Sequence, residues 1–121
     1  MDMCSGLGID ICGIARMEKL MADDRFMKRW FTPGEIMYVQ SKGKGAAQTL
    51  AGLYSAREAL AKALGSGIDF DLKDAEILHT PAGTPYFHLT GPLAERTAGC
   101  RVLLSITHDA GVAAAVCILE K

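Results

Sequence analysis

One long amphipathic segment, about residues 46–64, constrains the fold of this chain more than any other feature of the sequence. Its apolar residues recur at three- and four-residue spacing, which is typical of a helix with one buried face. They are Leu50, Leu53, Tyr54, Leu60, Ala61 and Leu64. Gly65 follows, and a glycine just past the last turn is a common helix stop. The segment therefore predicts a long helix over 46–64 whose apolar face other elements must cover.

A strand is predicted near the N-terminus. Apolar residues alternate there with smaller or polar ones, which is the period of a half-buried strand. The apolar set is Leu7, Ile9 and Ile11, and the intervening set is Gly8, Asp10 and Cys12. The alternation places Asp10 on the less apolar face of this strand.

Shorter helices are predicted between that strand and the long helix. One covers about 14–21, and Asp23 or Asp24 can cap a continuation through Trp30. Thr32 and Glu35 flank a proline in the arrangement of a capping box, which predicts a helix from Pro33 to about residue 40. The glycines and lysines of 42–45 predict a mobile loop before the long helix.

The pattern changes to short strands after the long helix. Strands are predicted at about 75–79, 86–89, 102–108 and 112–119, with a proline-bounded turn at 81–85. One strand, then helices, then a run of strands indicates an α+β fold in which an antiparallel sheet packs against one long helix and shorter helices. The length of 121 residues is that of a single domain, and we expect one domain over 1–121.

Composition excludes several classes of protein. Half of the residues are hydrophobic and 22% are charged, but no run of eighteen apolar residues is available for a membrane span. The first residues lack a basic segment followed by a long apolar one, so we expect no secretory signal and a cytoplasmic location. The four cysteines form no CxxC pair, which disfavours zinc and redox sites. We expect reduced thiols, with Cys12 and Cys117 buried, and a fold that needs no disulfide.

The formal net charge of −1 conceals two basic segments. Residues 14–30 carry five basic and three acidic side chains, and residues 41–62 carry four basic side chains and one acidic side chain. These segments are too sparse, and too poor in interleaved aromatic residues, for a nucleic-acid surface. They indicate a small polyanion or an acidic protein as the partner.

Two carboxylates on different elements are the strongest candidates for chemistry. Asp10 lies in an apolar strand, where a carboxylate needs a cavity, a partner or a metal. Glu58 and Lys62 lie four residues apart on the long helix and share a face, which by itself is also the pattern of an exposed ion pair. Magnesium takes one or two protein carboxylates together with water and phosphate oxygens. The pair Asp10 and Glu58 therefore favours a magnesium site used in phosphoryl chemistry.

Two further segments carry polar groups. The turn Gly65, Ser66 and Gly67 is a helix stop, but its backbone amides could also hold a phosphate with help from Lys62 or Arg57. A late strand ends in Ser105, Thr107 and His108, with the first two on one face and the histidine on the other. The sequence contains neither a GxSxG elbow nor a Walker loop.

Taken together, these residues resemble a known family, the holo-acyl-carrier-protein synthases among the phosphopantetheinyl transferases. The match covers nearly the whole chain, and its specificity lies in the order and spacing of the motifs. They are GLGIDI at 6–11 with Arg16, RF at 25–26 with Arg29, FTPGE at 31–35, LAG at 50–52, AREALAKALGSG at 56–67 and SITH at 105–108.

The resemblance implies transfer of 4′-phosphopantetheine from coenzyme A to a serine of apo acyl carrier protein, which releases adenosine 3′,5′-bisphosphate. Magnesium is the implied cofactor, Asp10 and Glu58 match its ligands, and Lys62 matches the cation that meets the phosphates. The family implies a homotrimer with each active site between two subunits. The positions that this implies for coenzyme A are Arg57, Lys62, Gly65, Ser66, Gly67, Gly83, Pro85, Ser105, Thr107 and His108.

The resemblance also implies a carrier-protein surface at Arg16, Arg25 and Arg29. Arg57 departs from the family, which usually has lysine there, and we expect Arg57 to keep a phosphate contact. Two other functions remain open: a non-catalytic trimeric module that binds coenzyme A or carrier protein, and a small-molecule-binding α+β oligomer in which Glu58 and Lys62 are only a surface pair. Neither nucleic acid nor a membrane is an expected partner.

Overall fold

The computed structural model describes residues 4–121. Five strands and five α-helices follow one another along the chain. They are β1 (Gly6–Gly13), α1 (Ile14–Leu20), α2 (Asp24–Trp30), α3 (Pro33–Gln40), α4 (Ala46–Leu64), β2 (Ala75–His79), β3 (Pro85–Leu89), α5 (Gly91–Arg96), β4 (Arg101–Asp109) and β5 (Val112–Glu120). The predicted α+β class is confirmed, and none of the described helices is both long and apolar enough to cross a bilayer.

The long helix α4 is the centre of the fold, as predicted. It ends at Gly65, whose φ of 77° is the left-handed conformation that glycine adopts without strain. One face of α4 packs on a three-stranded antiparallel sheet in the order β1-β5-β4. The hairpin β2-β3 forms a second, separate sheet. The antiparallel strands are thus divided between two sheets, and the helix covers only one face of the larger sheet.

The two faces of β1 have unexpected neighbours. The predicted alternation is present, but Leu7, Ile9 and Ile11 are 69%, 66% and 66% exposed. The face that carries Gly8 and Asp10 instead packs against α4. A Cβ atom at position 8 would overlap the carbonyl oxygen of Ala59, so only glycine admits the helix this closely. The less apolar face is therefore the buried one, and the more apolar face lies on the outside of the chain.

The helices between β1 and α4 begin where their capping residues predict. The Asp23 side chain accepts hydrogen bonds from two backbone N–H groups at the start of α2. Thr32 and Glu35 form the complete capping box of α3. The prediction of a mobile loop at 42–45 is wrong, because Gly43–Gly45 form a 3₁₀ turn that leads directly into α4. The backbone N–H of Gly45 donates to the carbonyl of Lys42 and closes this turn.

The later strands have nearly the predicted bounds, and the turn at 81–85 is confirmed. Its Gly83 has a φ of 90°, and the N–H groups of Gly83 and Thr84 donate to Thr80. Helix α5 was not predicted, because the glycine and proline that begin it also signal a turn. Its Leu93 is buried and belongs to the hydrophobic core, so this side chain joins the helix to the rest of the fold.

Arg57 has a structural role instead of the predicted contact with a phosphate. Its side chain and that of Glu35 are fully buried and form an ion pair with an N–O distance of 2.5 Å. Glu35 also accepts the backbone N–H groups of Thr32 and Ile77, and Arg57 donates to the carbonyl of Leu72. The prediction for Arg57 is wrong because its guanidinium lies in the interior, where it joins α4 to α3 and the β2 region.

The cysteines are only partly as predicted. Cys12 and Cys117 are free and buried, and burial raises the pKa of the Cys117 thiol to about 12. Cys4 and Cys100, however, form a disulfide whose Cα atoms are 5.1 Å apart. These residues precede β1 and β4, the two edge strands of the larger sheet. The expectation of four reduced thiols is wrong, because the fold brings together two residues that are 96 positions apart.

Candidate functional site

The structure brings Asp10 and Lys62 together at the contact between β1 and α4. The Lys62 ammonium donates to the carbonyl of Ile9 at 3.0 Å and to Asp10 Oδ1 at 3.3 Å. The Asp10 side chain is only 15% exposed, whereas that of Lys62 is 55% exposed. The lysine therefore covers one side of a largely buried carboxylate and keeps its own charge near solvent.

Glu58 completes this group from the preceding turn of α4. Burial raises the pKa of its carboxyl group, and the neighbouring charge of Asp10 raises that pKa further. Lys62 and Arg16 act in the opposite direction and lower it. Glu58 and Asp10 therefore share a partly desolvated space in which their negative charges repel one another.

This arrangement fits a divalent cation. Asp10 Oδ2 is buried and has no hydrogen-bond partner. Buried polar atoms normally have one, so this oxygen is free to bind a cation. Two carboxylates with open positions are the donor set that magnesium uses when it also binds phosphate. Within residues 4–121, no group of three or more His, Cys, Asp or Glu side chains is arranged to hold a metal ion together.

The turn Gly65, Ser66 and Gly67 lies at the end of α4, just after Lys62. Gly65 and Gly67 have φ values of 77° and 69°, and the N–H of Gly65 donates back to the helix. The N–H groups of Ser66 and Gly67 donate to no protein acceptor in the described part of the chain. Left-handed glycines beside free amides are the features of an anion-binding turn. The predicted phosphate contact therefore has available donors here.

A second group of predicted residues lies elsewhere. Gly83, Pro85 and His108 line a cavity of about 200 Å³. Gln48, in the first turn of α4, donates its side-chain N–H to His108 Nε2 at 3.0 Å. About ten residues of helix, or about 15 Å at 1.5 Å per residue, separate Gln48 from Glu58. One chain thus carries two groups of predicted residues that do not form a single site.

Two aromatic residues of this cavity were not predicted. Tyr38 and His79 stack with ring centroids 4.0 Å apart, and the Lys42 ammonium lies 4.5 Å from the Tyr38 ring. Burial and the charge of Lys42 lower the pKa of His79. The sequence gives no local signal for this stack, because Tyr38 lies in the last turn of α3 and His79 ends β2, 41 positions later. Their flat, partly buried rings give the cavity an aromatic wall.

Ser105 and Thr107 face away from this cavity, as the strand period predicts. They lie with Ile9 in a shallow depression on the outer face of the larger sheet. His108 is on the opposite face of β4, beside Gln48. The three residues of the motif are therefore divided between the outer sheet face and the aromatic cavity.

The predicted basic surface adjoins an aromatic cluster, which Arg16 contacts. Arg16 donates to the Tyr54 hydroxyl at 3.4 Å, and its guanidinium lies 5.2 Å from the centre of the Tyr54 ring. Phe26 and Trp30 of α2 also contact the Tyr54 ring. Arg25 and Arg29 are exposed on the same helix as these two aromatics. Tyr54 was predicted only as a core residue, and the structure shows that it also joins Arg16 to α2.

Comparison with known proteins gives a consistent result. The family model of the 4′-phosphopantetheinyl transferase superfamily matches residues 6–117. A holo-[acyl-carrier-protein] synthase of Treponema denticola is 40% identical and is matched over 98% of this chain and 99% of its own length. The corresponding protein of Caldicellulosiruptor saccharolyticus is 38% identical over 98% of each chain.

Solved structures show the same architecture. The holo-[acyl-carrier-protein] synthase of Helicobacter pylori, in complex with coenzyme A, superimposes with a TM-score of 0.82 at 32% identity and covers 94% of this chain and 99% of its own. The protein of Bacillus anthracis, in complex with CoA (3′,5′-ADP), gives a TM-score of 0.82 at 33% identity over 98% of both chains. The likeness in sequence and structure thus extends over both groups of predicted residues.

Proposed function

The chain belongs to the holo-[acyl-carrier-protein] synthases of the 4′-phosphopantetheinyl transferase superfamily, and from this premise we propose that it transfers 4′-phosphopantetheine from coenzyme A to a serine of an apo acyl carrier protein. In the reaction, the serine hydroxyl loses its proton to solvent and its oxygen bonds to the phosphorus that carries pantetheine. The P–O bond of the pyrophosphate breaks, and adenosine 3′,5′-bisphosphate leaves with the electron pair of that bond. The observation that carries the proposal is the pair of converging carboxylates Asp10 and Glu58, with an unpartnered buried oxygen on Asp10.

Asp10 and Glu58 would hold a magnesium ion. Bound there, the ion would neutralise charge on the transferring phosphate and orient it. Asp10 offers Oδ2 for this purpose, because Oδ1 already accepts from Lys62. Lys62 keeps Asp10 oriented and presents a cation toward solvent, where the phosphates of coenzyme A would enter.

The turn at 65–67 supplies the next contacts for those phosphates. The free N–H groups of Ser66 and Gly67 and the ammonium of Lys62 are donors at the same end of α4. The C-terminal end of a helix disfavours an anion, so these donors must offset that effect. Lys62 and the backbone amides would neutralise and orient the phosphates of coenzyme A, and the protein would form no covalent intermediate.

A homotrimer with active sites between subunits would join the two separated groups of residues. The outer face of the larger sheet exposes apolar side chains from all three of its strands: Leu7, Ile9, Ile11, Leu103 and Ile118. A continuous apolar face of this kind marks a protein interface. We propose that a neighbouring subunit covers it and brings its Ser105, Thr107, His108, Gly83 and Pro85 toward coenzyme A bound at Glu58 and Lys62.

The acyl carrier protein would dock on the basic surface formed by Arg16, Arg25 and Arg29. These side chains are exposed, Arg16 contacts Tyr54, and Arg25 and Arg29 lie on the helix that carries Phe26 and Trp30. Arg16 is also close enough to Glu58 to lower the pKa of that carboxyl group. A carrier bound here would therefore present its serine beside the two carboxylates.

A cytoplasmic location remains a prediction. The free, buried thiols of Cys12 and Cys117 are compatible with a reducing compartment. The Cys4–Cys100 disulfide is of a kind that persists mainly under oxidising conditions. Intact mass of protein alkylated before cell lysis would show whether this bond exists in the cell.

The function is tested by incubating the chain with coenzyme A, magnesium and an apo acyl carrier protein. We expect the mass of the carrier to increase by one phosphopantetheine group and adenosine 3′,5′-bisphosphate to appear in equal amount. Addition of EDTA should stop the reaction, and excess magnesium should restore it. Tight binding of coenzyme A without any mass change of the carrier would instead identify a non-catalytic binding module.

A further inference from the structure

Arg96, in the last turn of α5, closes a ring of hydrogen bonds beside the turn that follows α4. Its Nη2 donates to Ser66 Oγ at 2.7 Å, and its Nη1 donates to Asp69 Oδ1 at 2.8 Å. The single proton of the Ser66 hydroxyl lies within reach of the same Asp69 oxygen at 3.1 Å and of the Gly67 carbonyl at 3.3 Å. The hydrogen bond from Arg96 lowers the pKa of Asp69, so at neutral pH the carboxylate is charged and can accept both hydrogen bonds.

The turn at 65–67 has few other constraints. On its helix side, the N–H of Gly65 donates to α4. On its other side, the N–H of Asp69 donates to the carbonyl of Gly67. A Cβ atom at either Gly65 or Gly67 would meet nothing within 4 Å, so the backbone there is not held by packing. In the part of the chain that the structure describes, Arg96 and Asp69 are the side chains that hold Ser66 in place.

We propose that Arg96 is a positioning residue for coenzyme A: through Ser66 it fixes the turn whose free amides receive the phosphates. This inference rests on the proposed function, which places the phosphates at that turn. Both terminal nitrogens of Arg96 already donate to protein oxygens, and its charge is paired with Asp69. In this proposal Arg96 acts by ordering Ser66, and the second test below separates this role from a direct contact between its remaining N–H groups and the ligand.

The first test compares Arg96→Gln with Arg101→Gln. Arg101 is a matched control, because it also forms an exposed ion pair, with Glu120 at 3.2 Å. The dissociation constant of coenzyme A is measured by calorimetry in the presence of magnesium but without a carrier protein. We expect R96Q to weaken binding at least fivefold and R101Q to change it less than twofold. The KM for the carrier protein should be unchanged in both variants, and circular dichroism should show that both remain folded.

The second test separates positioning from direct contact. Ser66→Ala removes the hydroxyl through which Arg96 is proposed to act, so S66A should weaken coenzyme A binding by a similar factor. The double variant should bind no more weakly than either single variant, because the two changes break one connection. Compared with Arg96→Gln, Arg96→Lys keeps the positive charge and N–H donors on a single nitrogen, so it should retain part of the affinity.

Three results would overturn the inference. The first is wild-type affinity of R96Q for coenzyme A. The second is a loss in R96Q combined with wild-type affinity in S66A, which would mean that Arg96 contacts the ligand directly. The third is additive losses in the double variant. Failure of the proposed function is distinguishable from all of these, because it appears as absence of phosphopantetheine transfer by the wild-type chain.

Discussion

The carbonyl oxygen of Ala59 occupies the place where a Cβ atom of residue 8 would stand, so Gly8 sets how closely β1 approaches α4. The same relationship recurs one step along both elements, between Gly6 and the carbonyl of Ala63. Asp10 follows Gly8 on the same face of β1, and Glu58 precedes Ala59 on α4. The close approach of backbone to backbone is therefore what brings the two carboxylates of the site together.

Gly8→Ala should separate β1 from α4. The added methyl group meets backbone atoms that cannot rotate away, so we expect the free energy of unfolding to fall by about 2 kcal/mol or more. Gly13→Ala is the matched control on the same strand, because its Cβ meets nothing within 4 Å and its φ of −70° suits alanine. It should change stability by less than about 0.5 kcal/mol. Urea denaturation measures both, and equal midpoints for the two variants would show that the close approach is not required.

Removal of either carboxylate of the site should reduce turnover strongly. We expect Asp10→Ala and Glu58→Ala each to lower kcat by about 10²-fold or more, because each removes charge stabilisation at the transferring phosphorus. Both variants should fold normally, because neither residue is fully buried and each substitution removes the repulsion between the two negative charges. Steady-state rates at saturating magnesium, with circular dichroism as the control, provide the measurement. Near-wild-type turnover in either variant would refute the site of two carboxylates.

Local signals predicted most of the fold. The apolar period of α4 and its glycine stop depend on residues within one turn of each other, as does the capping box of Thr32 and Glu35. These two features required no knowledge of distant contacts. The group of Asp10, Glu58 and Lys62 differs, because Asp10 and Lys62 are 52 positions apart and the motif order of the family supplied the pairing between strand and helix.

The features that were missed depend on contacts between distant parts of the chain. The pair Glu35–Arg57 and the disulfide Cys4–Cys100 join residues 22 and 96 positions apart, and no periodicity encodes either. The period of β1 is the same whichever face is covered, so it could not show that the apolar face is the outer one. Which face of β1 packs against α4 is determined by Gly6 and Gly8, which allow the helix to come close, and by the partner that covers Leu7, Ile9 and Ile11.

Arg57 should contribute to stability and not to substrate binding. Arg57→Met removes the cation from a fully buried ion pair and leaves the Glu35 carboxylate uncompensated. The loss of one partner of such a pair costs about 3–5 kcal/mol of unfolding free energy. The KM for coenzyme A, measured well below the melting temperature, should stay within twofold of wild type. If stability is unchanged and the KM for coenzyme A is raised, then Arg57 contacts a phosphate, as the sequence predicted.

The outer face of the larger sheet should mediate a homotrimer. Light scattering at micromolar concentration should give three times the mass of the chain, and Ile9→Lys should give a monomer without transferase activity, because it places a charge in the apolar face. Met37→Lys is the matched control, since Met37 on α3 is 70% exposed but lies off this sheet. It should remain trimeric and active. If the wild-type protein is a monomer with full activity, the proposal of an active site between subunits is wrong.

Arg16→Glu tests the basic surface proposed for the carrier protein. Arg16 is exposed, and its contacts are with Tyr54, so the substitution should leave the fold intact. Charge complementarity between proteins mainly governs the rate of encounter and the choice of partner. We therefore expect the KM for the carrier protein to rise about tenfold or more, with the dissociation constant of coenzyme A within twofold of wild type. A charge reversal at Glu95, which is exposed on α5, is the control and should change neither value.

Salt should distinguish this electrostatic effect from damage to the active site. Exposed charges are screened over a Debye length of about 8 Å at physiological ionic strength and over shorter distances as salt increases. The difference in KM between wild type and Arg16→Glu should therefore shrink from low to high salt, chiefly because wild-type binding of the carrier becomes weaker. Steady-state kinetics with each substrate varied separately, at two salt concentrations, provide the measurement. If the KM values for coenzyme A and for the carrier protein rise equally, Arg16 belongs to the active site. If the KM for the carrier protein is unchanged, the exposed face of α1 has no role in docking.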